Sequence, residues 1–226
     1  MGKLYTEESH TEKVGVFRDR EEAGNVLASM MIHYQDGDAL ILAIPAGGVP
    51  VACQVSRSLH LPFDLLIVRK IQLPHTTEAG FGAVGPDGEV IFNEVLRATV
   101  RKEHIEKQVD KAKKAVRERE NLFRGKKPFP SVTGKSIIVV DDGLASGYTM
   151  AEAIGFLKKK GAGRITIAVP TAPRSTVEFL LHQVDELYCP NIRSRYPFAV
   201  AQAYKYWYDV PNEEVLDLLD KCEEFS

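Results

Sequence analysis

The sequence predicts an α/β fold, a doubly wound and mostly parallel sheet of about five strands with a small hood and a flexible loop. Three observations predict it. Short runs that are apolar throughout recur along the chain, as in strands buried on both faces of a parallel sheet. Stretches of helical periodicity alternate with them, the pattern of repeated strand–helix units. Loops of small residues follow the apolar runs, at the strand ends where such sheets place their ligands.

In chain order, residues 1–18 are a polar lead. Asp19 suits an N-cap for a helix to about Tyr34, with Val26, Leu27, Met30 and Met31 as its apolar stripe. Asp36 to Asp38 turns the chain into a first strand at Ala39–Ile44, which Pro45 ends. Val49 to Leu59 suits a helix and Phe63–Val68 a second strand. Ile71 to Gly88 is rich in Gly, Pro, His and Thr and reads as a long loop, with a turn at Pro86–Gly88 and a short strand at Glu89–Phe92. Glu94 to about Arg124 is charged and helical; its acidic and basic residues are interspersed, as on a solvated face. Ser136–Val140 is a third strand, followed by a glycine-containing loop and a helix from about Tyr148 to Lys160. Arg164–Val169 is a fourth strand, Pro173–His182 a short helix and Val184–Tyr188 a fifth strand. Pro190 to Asp209 is irregular and aromatic-rich, and Asn212–Cys222 reads as a closing amphipathic helix. The 226 residues fit a single domain, with about 190–226 as its C-terminal hood and closing segment.

Composition narrows the function. Hydrophobic residues make up 44% of the chain, a globular value. With 29 basic and 31 acidic residues the formal charge is −2, which gives no footprint for nucleic acid or an anionic membrane. Cys53, Cys189 and Cys222 form no C-x-x-C pair, which predicts inert thiols in a reducing, cytoplasmic setting. Met1 to Lys13 lacks an apolar signal region, and no apolar run is long enough to span a bilayer.

The stretch Ile137 to Thr149 carries the most chemistry. Four β-branched residues lead straight into Asp141 and Asp142, and then into Gly143, Leu144, Ala145, Ser146, Gly147, Tyr148 and Thr149. Two carboxylates at a strand end accept hydrogen bonds from a diol. The small residues let backbone N–H groups approach a phosphate, and the following helix N-terminus adds its dipole. The pattern thus reads both ends of a ribose 5-phosphate. There is no G-x-x-x-x-G-K-[ST] loop and no G-x-G-x-x-G fingerprint.

Ile137 to Thr149 resembles the 5-phosphoribosyl-1-pyrophosphate signature of the type I phosphoribosyltransferases, with Gly143 where an apolar residue or Ser is usual. Ala43 to Pro50, Val68 to Lys70 and Phe198 to Gln202 resemble a bacterial and archaeal branch of that family whose base specificity is mostly unassigned. The resemblance implies transfer of a 5-phosphoribosyl group from phosphoribosyl pyrophosphate to a small base, with release of pyrophosphate. It makes Asp141 and Asp142 the ribose hydroxyl partners and Ala145 to Thr149 the 5-phosphate loop. Ala46, Gly47 and Gly48 become the pyrophosphate loop, with a non-proline cis bond at Ala46–Gly47. Many relatives carry Arg or Lys where this chain has Ala46, which leaves backbone amides to hold pyrophosphate at that loop.

Arg69 and Lys70, at the end of the second strand, suit neutralisation of the leaving pyrophosphate. Ile71 to Gly85 resembles the flexible loop that shields the reaction centre, with His75, Thr76, Thr77 and Glu78 as reactive candidates; Glu78 and Lys70 are the catalytic ones. The oxygen-rich site suits Mg²⁺ bound mainly by the ligand's diphosphate, with Asp141 and Asp142 acting through substrate and water. The six His residues show no zinc-site spacing.

The hood is expected at Pro190 to Trp207, where Tyr196, Phe198, Tyr204 and Trp207 offer stacking faces; Tyr196 and Phe198 are the base candidates. Ala145 stands where 6-oxopurine enzymes carry an acid, so this loop resembles the adenine and orotate types more. The expected partners are phosphoribosyl pyrophosphate and a small base, with neither nucleic acid nor membrane, and a homodimer is a compatible assembly. The competing reading is a non-catalytic sensor of phosphoribosyl pyrophosphate or a nucleotide.

Overall fold

The computed structural model describes residues 2–73, 80–125 and 127–223. Its elements, in chain order, begin with β1 (Lys3–Tyr5), α1 (Arg20–Met30), β2 (Leu40–Ala43), α2 (Gly48–Leu59), β3 (Phe63–Leu65), β4 (Arg69–Gln72), β5 (Gly80–Val84) and β6 (Val90–Phe92). Then come α3 (Glu94–Arg97), α4 (Lys102–Phe123), β7 (Ser136–Val140), α5 (Tyr148–Lys159), β8 (Arg164–Ala168), β9 (Thr171–Pro173), α6 (Arg174–Leu181), β10 (Glu186–Tyr188), β11 (Asn191–Arg193) and α7 (Asn212–Glu223).

The central sheet has six parallel strands in the order β1-β10-β8-β7-β2-β3, one more than the expected five. The extra strand is β1, inside the lead read as merely polar. Tyr5 pairs with Tyr188 and their rings stack at 4.3 Å, so β1 is held by its partner and not by its own apolarity. Along β7 the side chains alternate between two cores. Ile137 and Val139 pack with α5 and α6, while Ile138 and Val140 pack with α1, α2 and α4.

After β2 the chain proceeds outward to β3; after β7 it proceeds the other way, to β8 and β10. The crevice between the carboxyl ends of β2 and β7 is therefore the topological switch point, where open α/β sheets bind ligands.

Four sequence expectations need correction here. The second strand stops at Leu65, and Arg69 and Lys70 open β4 in a separate antiparallel sheet, β4-β5-β6. Within the expected loop from Ile71 to Gly85, Ile71 and Gln72 belong to β4 and Gly80–Val84 to β5, with Ile71 opposite Gly82 and Arg69 opposite Val84. Ile71, Phe81 and Val84 are buried in the core beside α4, which outweighs the turn-like composition. His75, Thr76, Thr77 and Glu78 lie outside the described residues. The long charged helix is split, because Ala98–Arg101 interrupts it between α3 and α4, with Arg101 extended at φ −64°, ψ 141°.

Fourth, two of the three cysteines are joined. Cys53 on α2 and Cys222 on α7 form a disulfide that spans 169 residues, whereas Cys189 is free, buried and thereby held protonated. Among the described residues no helix is long and apolar enough to cross a membrane.

Candidate functional site

Two loops meet at the switch point, one from β2 and one from β7. The β2 loop is Pro45 to Gly48. Its cis bond is Pro45–Ala46, one peptide earlier than the expected Ala46–Gly47. The chain reverses there because Ile44 is still paired, its N–H reaching the Val140 carbonyl at 2.9 Å, while α2 already begins at Gly48. Gly47 admits no side chain, since a Cβ would stand 1.9 Å from Asp142 Oδ2. Among the described residues the N–H groups of Ala46 and Gly47 have no acceptor.

The β7 loop carries the acidic pair. The Asp141 carboxylate accepts the Asp142 backbone N–H at 2.8 Å. Burial pushes the Asp141 carboxyl well above the usual carboxylate range, and the neighbouring Asp142 adds to this. Burial raises Asp142 too, but the Arg20 guanidinium opposes it. Arg20 Nε and Nη2 both reach Asp142 Oδ2, at 3.0 and 2.9 Å. Gly143, the departure from the usual signature, has a steric reason. A Cβ there would lie 2.6 Å from Val200 Cγ1 and 2.9 Å from Thr171 Cγ2.

Ala145 and Ser146 are exposed, and Gly147 enters α5 in the left-handed region at φ 80°. Among the described residues no side chain caps this helix, and the first N–H groups of a helix have no partner within it. The loop is fastened from behind. Leu144 N–H donates to the Thr171 carbonyl at 2.9 Å, and Thr176 Oγ1 donates to the Ala145 carbonyl at 2.6 Å. Asn93 donates from its amide to the Tyr148 hydroxyl, linking the loop to the β4-β5-β6 sheet. A donor-rich helix start of this kind accepts a phosphate.

The hood residues divide. Tyr196 and Phe198 line a cavity of about 530 Å³ together with Ala145, Ser146, Tyr148 and Phe179. Tyr204 and Trp207 lie elsewhere, beside Arg20 and the acids.

Arg69 is half-buried, and its guanidinium is pushed down to about 10, first by burial and second by the charge of Arg119. Arg119 Nη1 donates to the Pro45 carbonyl at 2.9 Å, so the long helix α4 reaches the β2 loop. Arg69 and Lys70 also line a cleft of about 290 Å³ between β4 and α4, with Lys111 and Gln108. Sequence reasoning missed Arg20 and Arg119. Nothing in the sequence marks Arg20, whereas Arg119 sits two turns from Ala112 on the apolar face of α4, a signal that was available.

Among the described residues no cluster of three or more His, Cys, Asp or Glu is placed to hold a metal. The acidic loop supplies two carboxylates, one with an oxygen committed to Arg20. That donor set fits a hard cation arriving with a ligand's phosphates, and does not fit a protein-built cage.

The phosphoribosyl transferase domain family matches residues 20–206. The chain belongs to this family. A Thermus thermophilus protein of known structure, TT1426, is 30% identical to this phosphoribosyl transferase domain and superposes with a TM-score of 0.75, over 91% of this chain and 98% of that one. Two Mycobacterium tuberculosis proteins, provisionally named phosphoribosyl transferases, are 35% identical over 92% of this chain. The chain spans about half the length of these curated relatives, 47%. The matched region takes in α1 with Arg20, both loops of the switch point and the hood up to Tyr206.

Proposed function

We propose that this phosphoribosyl transferase domain is an active cytoplasmic enzyme. It transfers the 5-phosphoribosyl group of phosphoribosyl pyrophosphate to a nucleobase-type nitrogen and releases pyrophosphate. One observation carries the reading: a half-buried acidic pair and a helix start without a side-chain cap lie on one loop, at the switch point of the sheet. Asp141 and Asp142 take the ribose hydroxyls, and Ala145 to Thr149 hold the 5-phosphate. Ala46, Gly47 and Gly48 receive the pyrophosphate through backbone amides, with Arg69 and Lys70 supplying positive charge. Tyr196 and Phe198, in the hood from about residue 190, stack on the base. Lys70 serves the departure of pyrophosphate, and Glu78 is the catalytic candidate of the segment that shields the reaction centre.

Asp141 and Asp142 would hold Mg²⁺ through substrate and water, and the ion would offset the negative charge of the leaving group. The protein's own part is to fix the sugar at both ends, so that the anomeric carbon lies between the leaving group and the base. The test is a screen of nucleobases with phosphoribosyl pyrophosphate and Mg²⁺, reading pyrophosphate release. Turnover with at least one base is expected. Tight binding of phosphoribosyl pyrophosphate without turnover on any base would identify a sensor instead.

A further inference from the structure

Arg20 is the first residue of α1, 122 positions before the carboxylate it meets. Its side chain is only 5% exposed. Nε and Nη2 converge on Asp142 Oδ2, and Nη1 donates to the Tyr208 carbonyl at 3.0 Å. The guanidinium lies 4.1 Å from the centre of the Trp207 ring. The Tyr204 hydroxyl donates to the Asp142 backbone carbonyl at 2.6 Å. On the far side, the backbone of Gly47 packs close against Oδ2. Asp142 is thus held from α1, from the C-terminal aromatic segment and from the β2 loop together.

We propose that Arg20 is a positioning residue that aims Asp142 at the ribose hydroxyls, and that Trp207 and Tyr208 are the seat that holds Arg20 in place. The inference rests on the ribose assignment proposed above. A carboxylate on a loop of small residues has nothing of its own to fix its plane. The Arg20 guanidinium converges two N–H groups from a rigid frame on the one oxygen Oδ2, which fixes where that oxygen stands more tightly than a single ammonium contact would. Both guanidinium contacts fall on Oδ2, so neither occupies Oδ1. Stability alone does not explain the arrangement, because buried ion pairs often contribute no more than apolar residues of the same volume. The aromatic face over the guanidinium and the carbonyl on its third nitrogen prevent Arg20 from swinging to solvent. The segment Tyr204 to Tyr208 thereby acts on the sugar site at one remove, through Arg20 and Asp142.

The experiment compares ribose 5-phosphate with its 2,3-dideoxy analogue, which keeps the phosphate and lacks both hydroxyls, by calorimetry. The parent protein, Arg20→Gln, Arg20→Lys and Trp207→Leu are measured. The parent is expected to prefer ribose 5-phosphate by at least about tenfold. In Arg20→Gln that preference should fall below about threefold while affinity for the dideoxy compound stays within about twofold of the parent. Arg20→Lys should lie between, since it keeps the charge and loses the fork. Trp207→Leu should also lower the preference, and it decides the matter if Arg20→Gln does not fold. A full preference retained in Arg20→Gln, or in Trp207→Leu where Arg20→Gln is unfolded, overturns the inference and leaves the ribose reading standing. A parent that binds both sugars equally overturns the ribose reading itself, and the inference with it.

Discussion

At the scale of single residues, the two adjacent acids are not equivalent. Asp142 has a guanidinium partner, whereas the half-buried Asp141 carboxylate accepts the Asp142 backbone N–H and faces no cation as near. Asp141→Asn should therefore cost binding and not stability. Losing a charged acceptor for hydroxyl donors is expected to weaken phosphoribosyl pyrophosphate binding about a hundredfold, roughly 2.7 kcal/mol. The thermal midpoint at pH 8 should not fall, because the substitution removes a desolvated charge. Calorimetry and a thermal scan on one sample check both parts; unchanged affinity would remove Asp141 from the sugar site. The acidic pair was legible in the sequence because an apolar strand running into two carboxylates is a local pattern. Arg20 was not, since its partner is 122 positions away and it looks like any arginine in a first helical turn.

At the scale of elements, β2, β7 and β8 were legible because each is a run of residues buried on both faces. The hairpin of β4 and β5 was not, because its glycines and polar residues resemble a loop until the neighbouring helices bury Ile71 and Phe81. That hairpin rests on α5 through Glu152, which is 2% exposed and has one carboxylate oxygen without a partner. Burial, then the charges of Asp87 and Glu89, push Glu152 up to about 7, against the opposing Ile91 N–H and Lys159. Between its ordinary value of 4.5 and about 7, the folded protein keeps a proton that the unfolded chain has released. Stability therefore falls as pH rises through that window, by on the order of 2–3 kcal/mol. Glu152→Gln should abolish that part of the slope and stabilise the protein at pH 8. Denaturant midpoints for parent and variant from pH 5 to 8 test this; parallel curves would show that Glu152 does not carry the dependence.

At the scale of the whole molecule, composition and alternation were enough to place the chain in a doubly wound class. They missed the link that ties its last helix to α2, because a disulfide between residues 169 apart leaves no local trace. Closing so long a loop restricts the unfolded chain, a contribution of about 2–5 kcal/mol. Reductant should lower the denaturant midpoint of the parent and leave that of Cys53→Ser unchanged. An equal response in both would show the thiols to be unpaired in solution.

In the proposed function, one loop at the switch point reads both ends of a ribose 5-phosphate. The most direct measurement is a crystal structure of the protein with ribose 5-phosphate. The phosphate is expected on the N–H groups of Ser146 to Thr149 and the sugar hydroxyls on Asp141 and Asp142. A phosphate bound instead in the basic cleft of Arg69, Lys70 and Lys111, with the β7 loop ordered and empty, would contradict it.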